Sequence, residues 1–153
     1  MSELFDDASL AVLERQIDEW LASFAAATGV VEAIDRGEDT ELRWYVRMRG
    51  EEKDHITVWL TLGQRTLRYE TYVMPAPEEN AAQLYEHLLR RNDQLVGAHF
   101  SIGAEDAIYL RGELPLTALD EAELDRVLGS LLAYVEQCFR PMLRIGFASR
   151  FPA

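Results

Sequence analysis

Three histidines, one cysteine and several acidic pairs are the side chains in this sequence that could carry out chemistry, and their spacing argues against it. His55, His87 and His99 fall on three different segments, none followed by a second ligand three or four positions on. A metal site needs convergent ligands, and this spacing supplies none. Cys138 stands next to Phe139 and three residues after Val135, at the edge of an apolar helical stripe. It reads as a small buried hydrophobe; a reactive thiolate needs an accessible electropositive setting. Glu78–Glu79, Glu105–Asp106 and Asp120–Glu121 occur where helix starts and turns favour acidic residues. No glycine-rich loop leads from a strand into a helix, so a phosphate or dinucleotide cradle is unsupported. These residues call for no catalytic group, no metal and no cofactor.

One constellation stands above this background. Arg43, Tyr45, Arg47, Thr57, Trp59, Thr61, Tyr109 and Arg111 fall on alternate positions of apparent strands, opposite an aliphatic set. Solvent-facing Trp, Tyr and Arg are the types enriched at binding hot spots. Aromatic and β-branched residues also favour strands on any face, and cross-strand pairs stabilise a sheet without a ligand. Arg43, Tyr45, Arg47, Trp59, Tyr109 and Arg111 are the binding-face candidates.

The elements that would position them follow from the hydrophobic period. Leu10, Leu13, Ile17, Trp20, Leu21 and Phe24 form one helical stripe over residues 9–27, with Asp7 or Ser9 as cap and Gly29 as terminator. Trp20 is expected in the core, and its truncation to cost about 3–5 kcal/mol. The polar stretch Glu32–Glu41 reads as a connection. Leu42–Met48, Ile56–Leu62 and Leu67–Met74 alternate and are separated by short turns, as in a meander; which set of the third strand faces inward is left open by the pattern. Pro77 suits the first turn of a helix over Glu78–Arg91. Ala98–Ile102 and Ile108–Leu114 would form a hairpin around Gly103–Asp106. Asp120 with Glu123 resembles a capping box, and an apolar face runs from Leu124 to Phe139, where Pro141 should kink or end the helix. The order is αβββαββα: an α+β fold with a five-stranded antiparallel sheet and helices mainly on one face.

At 153 residues the chain suits one domain, residues 1–153, able to bury roughly 70% of its unfolded surface. Apolar residues make up 48% and charged residues 27%, as in ordinary globular proteins. The net charge of −12 opposes nucleic acid or an anionic membrane as main partner. The acidic N-terminus lacks a signal-peptide pattern and no apolar run is of spanning length, so a cytoplasmic location is expected.

The element order, with Leu110-Arg111-Gly112-Glu113-Leu114-Pro115-Leu116 leading into a capped amphipathic helix, resembles the YbjN-domain family, which is similar in fold to the type III secretion chaperones. The resemblance spans roughly residues 10–139. It implies an α+β sandwich-like domain that binds protein segments or regulates, often as a dimer, and it brings no active site. The expected function is therefore a non-catalytic protein- or peptide-binding module with a chaperone-like or regulatory role. The alternative is a small-molecule sensor or enzyme with a pocket between sheet and helices. Tyr85 and Leu89 widen the stripe of the middle helix beyond Leu84 and Leu88, which suggests a homodimer. The tail after Pro141 carries Met142, Leu143, Ile145, Phe147 and Phe151 and is expected to be ordered.

Overall fold

The Asp6 carboxylate accepts a 2.7 Å hydrogen bond from the Ser9 amide and opens helix α1, Asp7–Thr28. Gly29, at φ 70°, closes it in the left-handed conformation that favours glycine. The computed structural model describes residues 4–38 and 40–151. Among these, α1 is followed by strands β1 (Val31–Arg36), β2 (Leu42–Arg49), β3 (His55–Leu62) and β4 (Thr66–Met74), then helix α2 (Ala81–Asn92). Strands β5 (His99–Ile102) and β6 (Ile108–Pro115) and helix α3 (Glu121–Gly146) complete the order. The strands form one antiparallel sheet in the order β1-β2-β3-β4-β6-β5.

The sheet thus has six strands rather than five. The segment expected to be a connection contributes β1, an edge strand whose register slips between Val31 and Ala33. That irregularity breaks the alternation by which a strand is recognised, and an edge strand needs little burial. α2 begins at Ala81 rather than around Pro77, behind Asn80 at φ 53°. α3 runs through Pro141 to Gly146. The proline removes one helical bond to the Gln137 carbonyl, but Gln137 is exposed, so water can take that bond.

All three helices lie against one face. Trp44, Val46, Met48, Ile56, Val58, Leu60, Leu67, Tyr69, Val73, Ile108 and Leu110 point into it and are buried. Leu13, Ile17 and Leu21 of α1 meet them, with Leu84 and Leu88 of α2 and Leu124, Val127, Leu128, Leu131 and Val135 of α3. The inward set of β4 is therefore Leu67, Tyr69, Thr71 and Val73, and an irregularity between Tyr72 and Met74 turns Met74 inward as well. Trp20 is only half-buried, at the margin of the α1 stripe; the fully buried tryptophan is Trp44. Its indole N–H donates to Asp18 at 2.7 Å. Cys138 is 1% exposed and accepts a hydrogen bond from Arg91 Nε at 3.3 Å.

The tail is ordered on its own chain as far as residue 151. Phe147 is buried, the Gly146 carbonyl accepts from the Glu78 and Glu79 amides at 2.9 and 3.0 Å, and Arg150 pairs with Glu78 at 2.7 Å.

The β5–β6 turn holds Glu105 and Asp106 both at φ 58°, a region that L side chains other than Asn and Asp adopt at a cost. Replacing Glu105 by Asn and Asp106 by Gly should therefore stabilise the protein by about 1–2 kcal/mol. Thermal denaturation should show this as a Tm higher by a few degrees.

Candidate functional site

Because the helices occupy one side, the other side of the sheet is open, and the strand period decides what it presents. β2 contributes Arg43, Tyr45, Arg47 and Arg49, and β3 contributes His55, Thr57, Trp59 and Thr61. Register brings Tyr45 opposite Trp59, Trp59 opposite Glu70, and Glu70 opposite Arg111. His99 lies opposite Arg111 and Ser101 opposite Tyr109. Arg43, Tyr45, Arg47, Trp59, Tyr109 and Arg111 thus share one face of the sheet.

Two aromatic pairs organise this face. Tyr45 and Trp59 meet edge-to-face with centroids 5.6 Å apart, and Tyr72 and Tyr109 do so at 5.7 Å. Guanidinium groups lie over both pairs, Arg43 at 5.7 Å from the Trp59 ring and Arg111 at 4.4 Å from the Tyr109 ring. Contacts of this kind are worth roughly 0.5–1 kcal/mol at exposed sites. Thr61, although on the open side, is buried, and its hydroxyl accepts from Arg43 Nε at 3.1 Å.

The arginines are also held by carboxylates. Glu41 accepts from Arg43 at 2.7 Å, and Glu70 accepts from Arg111 Nε at 2.8 Å. Glu32 lies 3.8 Å from Arg47 and 3.2 Å from His55 Nδ1. A chain of net charge −12 therefore offers a sheet face on which the two signs are interleaved. Burial pushes the Tyr72 phenol above its ordinary pKa, and Tyr109 and Glu105 add to the shift. It stays a neutral hydroxyl at neutral pH.

Among the contributors to this surface absent from the sequence-derived set are Tyr72, Glu70 and Arg68. All belong to β4, whose inward set could not be chosen from its pattern. The missing signal was strand order, since only the pairing of β4 with β6 places Glu70 beside Arg111 and Tyr72 beside Tyr109. A shallow polar cleft of about 380 Å3 opens here, lined by Arg68, Glu70, His99, Arg111 and Glu113.

Tyr85 and Leu89 lie elsewhere. They line an apolar groove of about 260 Å3 between α2 and the edge strand β5, together with Leu88, Asn92, Phe100 and Ile102. Leu89 is 70% exposed and Ile102 50%. Among the described residues no three or more His, Cys, Asp or Glu side chains gather where they could hold a metal ion. Among the same residues no helix is long and apolar enough to cross a membrane.

This architecture is that of the type III secretion chaperones. A chain in the crystal structure of the ExsC–ExsE complex superposes with a TM-score of 0.58 at 20% identity, over 84% of this chain and 94% of that one. A chain in the structure of the Yersinia pestis chaperone SycH with a fragment of YscM2 does so at 0.50 and 21%, over 76% and 94%. One in the ExoU–SpcU complex of Pseudomonas aeruginosa gives 0.53 and 14%, over 82% and 98%. At such identities the likeness concerns the fold alone.

Residues 15–144 match the family model described as "YbjN: Putative bacterial sensory transduction regulator", and the chain belongs to that family. It is 30% identical to the uncharacterized protein ML2442 of Mycobacterium leprae over 139 residues, 91% of this chain and 72% of that protein. It is 39% identical to the uncharacterized protein Rv0487 of Mycobacterium tuberculosis over 104 residues, 68% of this chain. That match spans 57% of the mycobacterial protein's length.

Proposed function

We propose that this chain is a non-catalytic regulatory module, a single domain working in the cytoplasm, that binds a polypeptide segment on the open face of its sheet. The observation carrying this reading is the paired aromatic and arginine surface of Tyr45, Trp59, Tyr72, Tyr109, Arg43 and Arg111, left uncovered by all three helices. Trp, Tyr and Arg contribute most at interfaces because they supply large contact areas at low entropic cost. The interleaved charges suit a segment carrying both signs. Support also comes from the solved neighbours, each described as a protein in complex with a second protein. Affinity capture from the native cell followed by mass spectrometry tests the reading. Reproducible recovery of one polypeptide is expected, whereas a co-purifying small molecule and no polypeptide would favour the alternative of a small-molecule sensor or enzyme.

The α2–β5 groove supports a homodimer as part of this reading. β5 has a free edge, the groove beside it is apolar, and a two-fold axis would place Leu89 and Ile102 against their own copies. Sedimentation equilibrium at tens of micromolar should give a dimer that Leu89→Asp converts to a monomer. A monomeric native protein would end the dimer proposal and leave the sheet-face reading standing.

A further inference from the structure

The open sheet face ends in a cup at the turn between β5 and β6. Register sets Tyr72 of β4 opposite Tyr109 of β6, and their rings stand at 88° to one another. With Pro75, Ala76, Ala107 and Glu105 they line a cavity of about 300 Å3. The small side chains leave the space, while the two phenols and the carboxylate give it its chemistry. Gly103 lets the turn approach this closely, since a methyl group there would overlap the Tyr109 ring and the Arg111 guanidinium.

The Glu105 carboxylate is the part of this cup that fold stability does not explain. Its backbone is held at φ 58° and ψ 26°, a conformation that asparagine or glycine adopts at lower cost. A strained residue of this kind points to a purpose for its side chain. Yet that side chain forms no ion pair or hydrogen bond among the described residues. Its charge reaches the cup all the same: burial first, then Tyr109 and Glu105, push the Tyr72 phenol above its ordinary pKa.

Two cations already stand by these rings, and neither lines the cup. Arg111 lies 4.4 Å from the centre of the Tyr109 ring and is held by Glu70 at 2.8 Å. The Lys53 ammonium lies 5.8 Å from the centre of Tyr72 and 5.5 Å from that of Phe139, and Asp54 follows it in sequence. The rings therefore sit where cations gather, and the charge lining the cup itself is negative and unmatched.

We propose that this cup receives a basic side chain, lysine or arginine, of the polypeptide segment bound on the open face. Its cation would lie against the Tyr72 and Tyr109 rings and pair with the Glu105 carboxylate. The inference rests on the reading of that face as the receiving surface, and it gives the segment one required feature, a basic anchor at the β5–β6 end. A cation within about 6 Å of a ring centre is attracted by the π cloud, and a phenol oxygen can also accept from it. An acidic anchor would be repelled by Glu105, and an apolar one would leave that charge unmatched. The net charge of −12 favours the approach of a basic segment.

The test needs no partner. Amide chemical shifts of the native protein are followed as Nα-acetyl-lysinamide or Nα-acetyl-argininamide is added, with Nα-acetyl-norleucinamide as the uncharged control at matched ionic strength. Saturable shifts centred on Tyr72 and residues 104–109 are expected from a basic amide, the tighter of the two naming the anchor. The norleucine compound should bind several-fold more weakly. Glu105→Gln should weaken the basic amide about threefold, the effect of removing one exposed charge. Absence of saturable shifts there with both basic amides, equal affinity for the norleucine compound, or undiminished binding by Glu105→Gln would overturn the proposal. Such a failure strikes the basic anchor alone, because capture of a polypeptide on the sheet face is measured separately.

Discussion

Replacing Trp44 by alanine should destabilise this protein by about 3–5 kcal/mol, the range for emptying a large core site. Trp44 is fully buried on the helix-covered face. Its ring carries the Arg36 guanidinium at 4.5 Å, and its N–H satisfies Asp18 at 2.7 Å. Arg36 in turn bonds Glu14 of α1 at 2.7 Å, so truncation empties the space that ties α1 to β1 and β2. With total stabilities of about 5–15 kcal/mol, such a loss leaves a barely folded chain. Trp20→Ala, at the margin of the α1 stripe, should cost only about 1–2 kcal/mol. Chemical denaturation of both variants measures the difference. Equal costs would mean that the two indoles are equally buried.

The second large effect concerns binding. Trp59→Ala should weaken the captured partner's Kd by at least about thirtyfold, the equivalent of roughly 2 kcal/mol at a hot spot. Its cost to folding should be near 1 kcal/mol, the worth of one cross-strand aromatic pair. Trp59 makes that pair with Tyr45 and carries Arg43, but it stands outside the helix-covered core. Arg47→Glu should weaken binding similarly, because it places a second carboxylate beside Glu32 where a cation stood 3.8 Å away. Exposed ion pairs contribute little to stability, so its Tm should barely move. Isothermal titration and thermal melting of the same samples separate the two effects. Unfolding of Trp59→Ala would make Trp59 a core residue and remove the basis of the face assignment.

How far the sequence discloses this arrangement depends on the kind of pattern each element carries. The two-residue period of β2 and β3 is strict, so it places Arg43, Tyr45, Arg47 and Trp59 on one face without any coordinates. The same holds for Tyr109 and Arg111 on β6. β4 sits between β3 and β6 with sizeable side chains on both sides, so its alternation does not say which set turns inward. Glu70 and Tyr72 escape the sequence reading for that reason. β1 is hidden by the irregular register around Glu32 and by its edge position. Trp20 looks more central than it is because a helical stripe has margins, and a large side chain at a margin satisfies the period while half of it stays wet. The helix-ending effect of Pro141 depends on whether the orphaned carbonyl faces solvent, which the order of residues does not state. The amides of Glu51 and Glu52 donate to the Glu136 carboxylate across more than eighty positions, beyond any local pattern.

The central claim is that the open sheet face, and no other surface, receives the polypeptide partner. Hydroxyl-radical footprinting of the native protein, with and without the captured partner, reads it directly, because aromatic side chains are the main reporters. Tyr45, Trp59, Tyr72 and Tyr109 should lose reactivity together when the partner binds, while Trp20 on α1 and Tyr134 on α3 remain unchanged. Unaltered reactivity of the four sheet aromatics, with protection at Trp20 or Tyr134 instead, would contradict the claim and move the binding surface to the helical side.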